Sequence, residues 1–250
     1  MRRTGSSRWR VAGSLVALVL TVTPATAQEG EVSFNAGLGH LRDGRADLAI
    51  EAFEDAIDED GENPYFHKGL GLAYMRANRL KDAIKSFEKA IDLNPYYVDV
   101  RNDLGTALVL SGKREEGKAE FLKAFNDAQN PTPEISAHNL GQAFFEEQNY
   151  QQALSWFRTS AQRNERYPGS HIGIAHTLFA MGQTEQGIAQ LELGLEQLPK
   201  ETELLLALGE ACYEVGRFGE ARQKLEAVAA SDPAGPFGRR ALELLGKFPK

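Results

Sequence analysis

Cysteine is almost missing from this chain of 250 residues; Cys212 is the only one. A lone thiol cannot staple a chain to itself, so the fold must stand without disulfides even in an oxidising compartment. Metal and catalytic signatures are missing as well. The five histidines, His40, His67, His138, His171 and His176, form no H-E-x-x-H, and none stands at zinc spacing from the cysteine. There is no G-x-S-x-G, no phosphate-binding loop and no G-x-G-x-x-G opening a βαβ unit. Gly69, Gly71 and Gly173 fall inside a helical pattern instead. Acids outnumber bases. The formal net charge is −7, and the first 27 residues carry Arg2, Arg3, Arg8 and Arg10 with no acid, so the rest of the chain is more acidic still. Such a body argues against nucleic acid as the main partner, because phosphate binding needs a basic face. It argues equally against simple adsorption to anionic lipid. The apolar run Val11 to Thr23 counts 13 residues, short of the ~17–25 that cross a bilayer.

That short run fits a different purpose. The four arginines ahead of it make a positive n-region, and Ala25-Thr26-Ala27 behind it is an A-x-A cleavage site. Residues 1–27 therefore read as a cleaved signal peptide with a mature start at Gln28, which predicts a periplasmic or secreted protein. An uncleaved anchor is the alternative, and Arg2-Arg3 fits twin-arginine export poorly. No cysteine lies near Gln28, so this does not read as a lipoprotein signal.

What the chain has is a period. Pro64 to Pro95 reads as one helix–turn–helix unit, with Leu70, Gly71, Tyr74, Ala83, Phe87, Ala90 and Pro95 at regular offsets. Gly37, Gly71, Gly105, Gly141, Ala175 and Gly209 repeat its eighth position at spacings of 34, 34, 36, 34 and 34 residues. Offset 24 holds Phe53, Phe87, Phe121, Phe157, Leu191 and Leu225. Offset 20 holds Ala49, Ala83, Gly117, Ala153, Gly187 and Ala221; offset 15 holds Gly44, Asn78, Gly112, Gln148, Gly182 and Gly216. This pattern resembles the tetratricopeptide repeat over about residues 30–235.

The expected fold is all-α: an α–α superhelical solenoid of six such units within residues 28–235, plus a capping helix and tail at 236–250. The units run about 30–63, 64–97, 98–131, 134–167, 168–201 and 202–235, after a short linker from Gln28. Helix A is placed at offsets 2–14 and helix B at about 18–30. Glycine recurring inside helix A costs ~1 kcal/mol each time against alanine, so close packing must offset it. Small residues at offset 20 let helix B approach helix A, and offset 24 fills the space between units. Glycine or asparagine at offset 15 suits a left-handed residue that ends a helix. Pro95, Pro199 and Pro233 stop helix B. Asn130-Pro131-Thr132-Pro133-Glu134 adds two residues between units three and four, which predicts a bend or a division into halves. Ala241, Leu242, Leu244 and Leu245 should cover the open end, as terminal units of solenoids require. Cys212 falls at an inward position and reads as a packed core thiol. The acid pairs Glu54/Asp55, Glu115/Glu116 and Glu146/Glu147 read as solvated charge.

In such an array the A helices line the concave surface, and offsets 2, 5, 9, 12 and 13 share one stripe of helix A. The candidate partner groove is then Phe34, Leu38, Arg42, Tyr65, Lys68, Leu72, Met75, Arg76, Asn102, Thr106, His138, Gln142, Phe145, His176, Phe179, Glu210 and Tyr213, with Asn139 beside them. Basic residues at units one and two and acidic ones at unit six predict a charge gradient that would orient a peptide. Carboxamides and imidazoles in the middle can bond a peptide backbone in either direction. Offset 12 can also be simply the inner edge of the core. The chaperone-binding members of the superfamily grip a C-terminal carboxylate with lysine and asparagine; Lys68 and Asn102 match that set in part.

The stretch beginning at Asn130, NPTPEISAHNLGQAFFEEQNYQQALSWFRTSAQRNERYP, resembles the fourth repeat of the six-repeat, pilotin-like envelope proteins of type IV pilus biogenesis. That resemblance implies a periplasmic scaffold that helps an outer-membrane secretin assemble. It does not extend to the acylated cysteine that members of the group usually carry. The expected function is an exported, non-enzymatic scaffold that takes a protein partner, as peptide or helix, in its groove. No cofactor, metal or nucleic acid is expected, and the molecule should be a monomer. A general periplasmic adaptor for cell-envelope or polysaccharide-export machinery is the alternative.

Overall fold

A computed structural model describes residues 24–248, of which 24–28 are described only as helical backbone. Residues 1–23 of the expected export segment lie outside it. Thirteen helices and no strand occur among the described residues. They form six hairpins and one closing helix: α1 (Pro24–Arg42) with α2 (Ala46–Glu59), α3 (Pro64–Arg76) with α4 (Leu80–Leu93), α5 (Val98–Leu110) with α6 (Arg114–Asn126), α7 (Pro133–Glu146) with α8 (Tyr150–Arg163), α9 (Pro168–Ala180) with α10 (Thr184–Gln197), α11 (Thr202–Glu214) with α12 (Phe218–Ser231), and α13 (Pro236–Leu245). The expected linker after Gln28 is instead part of α1, which starts at Pro24.

Local chemistry sets the helix ends. Asn63 caps α3, its carboxamide oxygen accepting from the Tyr65 amide at 3.0 Å, and Pro64 opens the helix. Each first helix ends on a left-handed residue at offset 15: Gly44, Asn78, Gly112, Gln148, Gly182 and Gly216 all have φ between 57° and 88°. The amide after each bonds back across the turn, as Arg79 does to the Tyr74 carbonyl at 2.8 Å and Lys113 to Leu108 at 2.9 Å. This closes the orphan carbonyls and reverses the chain. At the other end α4, α10 and α12 stop two residues before Pro95, Pro199 and Pro233, because the residue ahead of a proline leaves the helical region.

The recurring glycine has a definite tertiary reason. A Cβ built on Gly71 would stand 2.5 Å from the Phe87 ring, and one on Gly105 2.5 Å from Phe121. The offset-24 aromatic thus lies in the slot the missing side chain leaves. Phe53 and Phe157 also fill glycine slots of the following unit, at Gly69 and Gly173. Offset 20 is small for backbone contact: a Cβ on Gly117 would come within 2.6 Å of the Gly105 carbonyl.

Successive first helices touch (α1 with α3, α3 with α5, and so on to α11 with α13), whereas no second helix touches the next second helix among the described residues. The first helices therefore form the tighter, inner layer and the second helices fan out over it. One apolar cluster runs through α2–α5, a second joins α8 and α9, and a third runs from α9 to α13. Between the first two lies the two-residue insertion, and polar bonds hold it. Asn130 donates to the Ala124 carbonyl at 2.7 Å and accepts from the Thr132 amide at 2.9 Å. Lys118 of α6 bonds both oxygens of Glu147 at 2.8 and 2.9 Å. Cys212 is buried, and burial pushes its thiol pKa up, away from reactivity. At the far end Ala241, Leu244 and Phe248 cover unit six, but Leu242 faces outward at 51% exposure rather than joining the cap.

Candidate partner-binding groove

The inner layer presents the predicted stripe, but its residues differ in how free they are. At the N-terminal end Leu38 is 42% exposed. Arg42 and Arg76 are exposed and in no ion pair among the described residues. Phe34 departs from the expectation of an open groove residue. Its ring lies 5.5 Å from Phe53 and 5.1 Å from Phe66, so it packs half-buried against the core where unit one meets unit two. Leu72 and Met75 are half-buried over the same core. Leu41, Val109, Phe145, Phe179 and Tyr213, the other offset-12 residues, are half-buried too, which makes this position the inner edge of the core as well as the wall of the groove.

Tyr65 is exposed, edge-on to Tyr97 at 5.2 Å. Lys68 is already engaged: its ammonium lies 3.8 Å from the Asp103 carboxylate and 5.0 Å over the Tyr97 ring. Burial pushes the Asp103 carboxyl from 3.8 up to about 6, against the opposing pull of Lys68. Asn102 is a correction. It is buried, not displayed, and its carboxamide oxygen is sealed off without a partner. The partial carboxylate-clamp match therefore dissolves, since one member is paired and the other buried.

The middle units hold a small recess on this face. Thr106, Asn139 and Gln142 come together around a recess of about 110 Å³ between α5, α6 and α7, with Val109, Phe121 and Leu110 as its apolar lining and Glu146 at its edge. Gln142 donates to Glu146 at 3.2 Å, and the Thr106 hydroxyl donates to the Asn102 carbonyl at 2.9 Å. His138 is less available than expected. Its ring is walled by Phe157 at 5.2 Å and Tyr167 at 5.5 Å, and its buried Nδ1 has no partner. Burial pulls its pKa down, against a hydrogen bond with the Gly169 backbone. Phe145 packs 5.6 Å from Tyr150.

Toward the C-terminus, His176 is exposed, and Phe179 lines a second apolar recess of about 330 Å³ with Thr184, Ala211, Glu214 and Val215. Glu210 accepts from Arg240 at 2.8 Å. Tyr213 packs on Phe218 and Phe248 and donates to the Lys247 carbonyl at 3.3 Å. Both residues thus meet the region of the closing helix. Part of the expected charge gradient is taken up inside the fold, since Lys68 is offset by Asp103 and Glu210 by Arg240; Arg42 and Arg76 at units one and two and Glu203 at unit six are exposed and in no ion pair among the described residues.

Two inner-face residues escaped the sequence reading. Leu110, at offset 13, is 60% exposed beside the middle recess; its place in the stripe was sufficient to find it. Asp103 sits one residue past a stripe position, at the offset that Asn139 occupies in unit four, and its pairing with Lys68 marks it. No group of His, Cys, Asp and Glu that could hold a metal occurs among the described residues. No helix among them is long and apolar enough to cross a membrane.

Comparison with known proteins agrees with this architecture. A tetratricopeptide-repeat family model matches residues 34–98 and 172–236, and a second one matches 134–198. No curated protein matches the chain. Among solved structures, PilW, described as a widely conserved type IV pilus biogenesis factor, is 20% identical with a TM-score of 0.65, over 86% of this chain and 99% of that one. PilF of Pseudomonas aeruginosa is 18% identical with a TM-score of 0.64, over 90% and 100%. The Cut9–Hcn1 complex is similar at 14% identity and a TM-score of 0.60, over 87% of this chain but 42% of that one. At such identities the likeness is one of fold. The matched segments, the repeat register and the stacked hairpins agree, and the chain belongs to the tetratricopeptide repeat family.

Proposed function

We propose that this protein is an exported, non-enzymatic scaffold that holds a segment of a partner protein, as peptide or helix, on its inner face. One observation carries the reading: the recess between α5 and α7, where an exposed leucine stands beside two carboxamides. Leu110 offers an apolar anchor, and Asn139 and Gln142 can donate to or accept from a peptide backbone. Arg42 and Arg76, uncompensated on the same face, favour a partner segment that is negative at its N-terminal-unit end. The sharper form of the proposal is assistance to type IV pilus or outer-membrane secretin assembly. Its support is the end-to-end likeness to PilW and PilF together with the export-type N-terminus.

The test uses residues 28–250 as bait against a native envelope extract, in parallel with the R42E/R76E and L110S variants. Capture of a secretin subunit by the wild type, lost in both variants while far-UV circular dichroism is unchanged, is the expected result. Capture indifferent to both variants would sink the groove assignment. Recovery of polysaccharide-export proteins in place of the secretin would transfer the reading to a general envelope adaptor.

A further inference from the structure

A second site lies on the outer side of the solenoid. The end of α8, residues 164–166 after it, α9 and α10 enclose an open cleft of about 750 Å³. Arg158 and Arg163 reach it from α8 and Arg166 from the following loop, and Glu165 is the only acid in its lining. All three arginines are exposed, and none joins an ion pair among the described residues. In a chain where acids outnumber bases 35 to 28, three arginines in no ion pair line one cleft. The dipole of α8 favours one cation in its last turn, which accounts for Arg163. It does not account for Arg158, more than a turn earlier.

The cleft is also held in shape. His171 is buried, its Nε2–H donating to the Glu165 carbonyl at 2.7 Å. That fixes the tautomer, so Nδ1 accepts from the Gln190 carboxamide at 2.8 Å. One ring thus ties the loop to α10. Arg163 is steadied by the Phe125 ring 5.1 Å beneath it. Across the cleft Leu193, 45% exposed, supplies an apolar wall.

We propose that this cleft binds an acidic segment of a protein, with carboxylates flanking an apolar side chain. Guanidinium groups take carboxylates in a two-pronged geometry, and Leu193 matches the apolar residue between them. The site is on the opposite layer from the concave groove, so the two are independent.

A labelled Glu-Leu-Glu-Glu-Leu-Asp peptide, titrated into residues 28–250 and followed by fluorescence anisotropy, tests this. Saturable binding should weaken as salt rises and fall by about tenfold or more in R158A/R166A, since each charge-assisted bond is strong. R158K/R166K, which keeps charge and loses the fork, should fall between. R42E/R76E, on the other face, should bind as the wild type does. Equal binding by R158A/R166A would overturn the site. Displacement of the peptide by inorganic polyphosphate or phosphatidylglycerol vesicles at lower concentration than by unlabelled peptide would overturn the ligand, since a phosphate-bearing partner would then fit better.

Discussion

Gly71→Ala should destabilise this protein, against the ordinary direction of that change. In a helix interior, replacing glycine by alanine stabilises by ~1 kcal/mol. Here the added Cβ would stand 2.5 Å from Phe87 Cε1 and 2.6 Å from Cδ1. Phe87 is fully buried, between Ala83 and Ala90 on its own helix, both also fully buried, so its ring has little room to retreat. Forcing a methyl group into such a site costs about 3 kcal/mol at the upper end of the usual range. The net loss is then about 2 kcal/mol, or a Tm lower by roughly 4–8 °C for a chain of this size. Urea unfolding followed by far-UV circular dichroism gives the free energy. Amide exchange in α3 and α4 tests whether the loss is centred on unit two, since stacked repeats can open separately. Unit five already carries the compensated pair, Ala175 with Leu191, both fully buried. Gly71→Ala with Phe87→Leu should therefore return to within ~1 kcal/mol of the wild type, a favourable coupling of neighbouring sites. A Gly71→Ala protein as stable as the wild type would refute the slot argument, because helix propensity would then have prevailed over packing.

Three further outcomes follow from single residues. Gln148, left-handed at φ 60°, occupies a place where four of the other five units have glycine; Gln148→Gly should raise stability by about 1 kcal/mol in the same urea assay. Asp103, its carboxyl pushed up to about 6 by burial, binds a proton more readily folded than unfolded; its contribution is thus lost as pH rises from about 4 to 6, and Asp103→Asn should flatten that part of the Tm–pH curve and raise Tm at pH ~7. Ser160 is fully buried and donates to the Glu134 carbonyl at 2.7 Å, with the Ser170 hydroxyl also at 2.7 Å. Ser160→Ala should cost about 1–3 kcal/mol by stranding these partners, and adding Ser170→Ala should cost less than the sum of the two single changes.

The sequence by itself determined the repeat, its register and its number, because each recurring residue answers a local demand that is met again in every unit. A left-handed turn wants glycine or asparagine at offset 15, and five of the six units comply. A ring at offset 24 wants a small residue at offset 8. Helical periodicity then specified which side of each first helix faces inward. It could not say which inward residues are free. That depended on neighbours from other units: Asp103 beside Lys68, Arg240 beside Glu210, and Tyr167 against His138. Such pairs arise only where one hairpin stacks on the next, and a helical wheel treats each helix alone. The outer cleft was hidden for the same reason. Arg158, Arg166 and Leu193 belong to three different segments, and only the stacking of α8 on α9 and α10 brings them around one space.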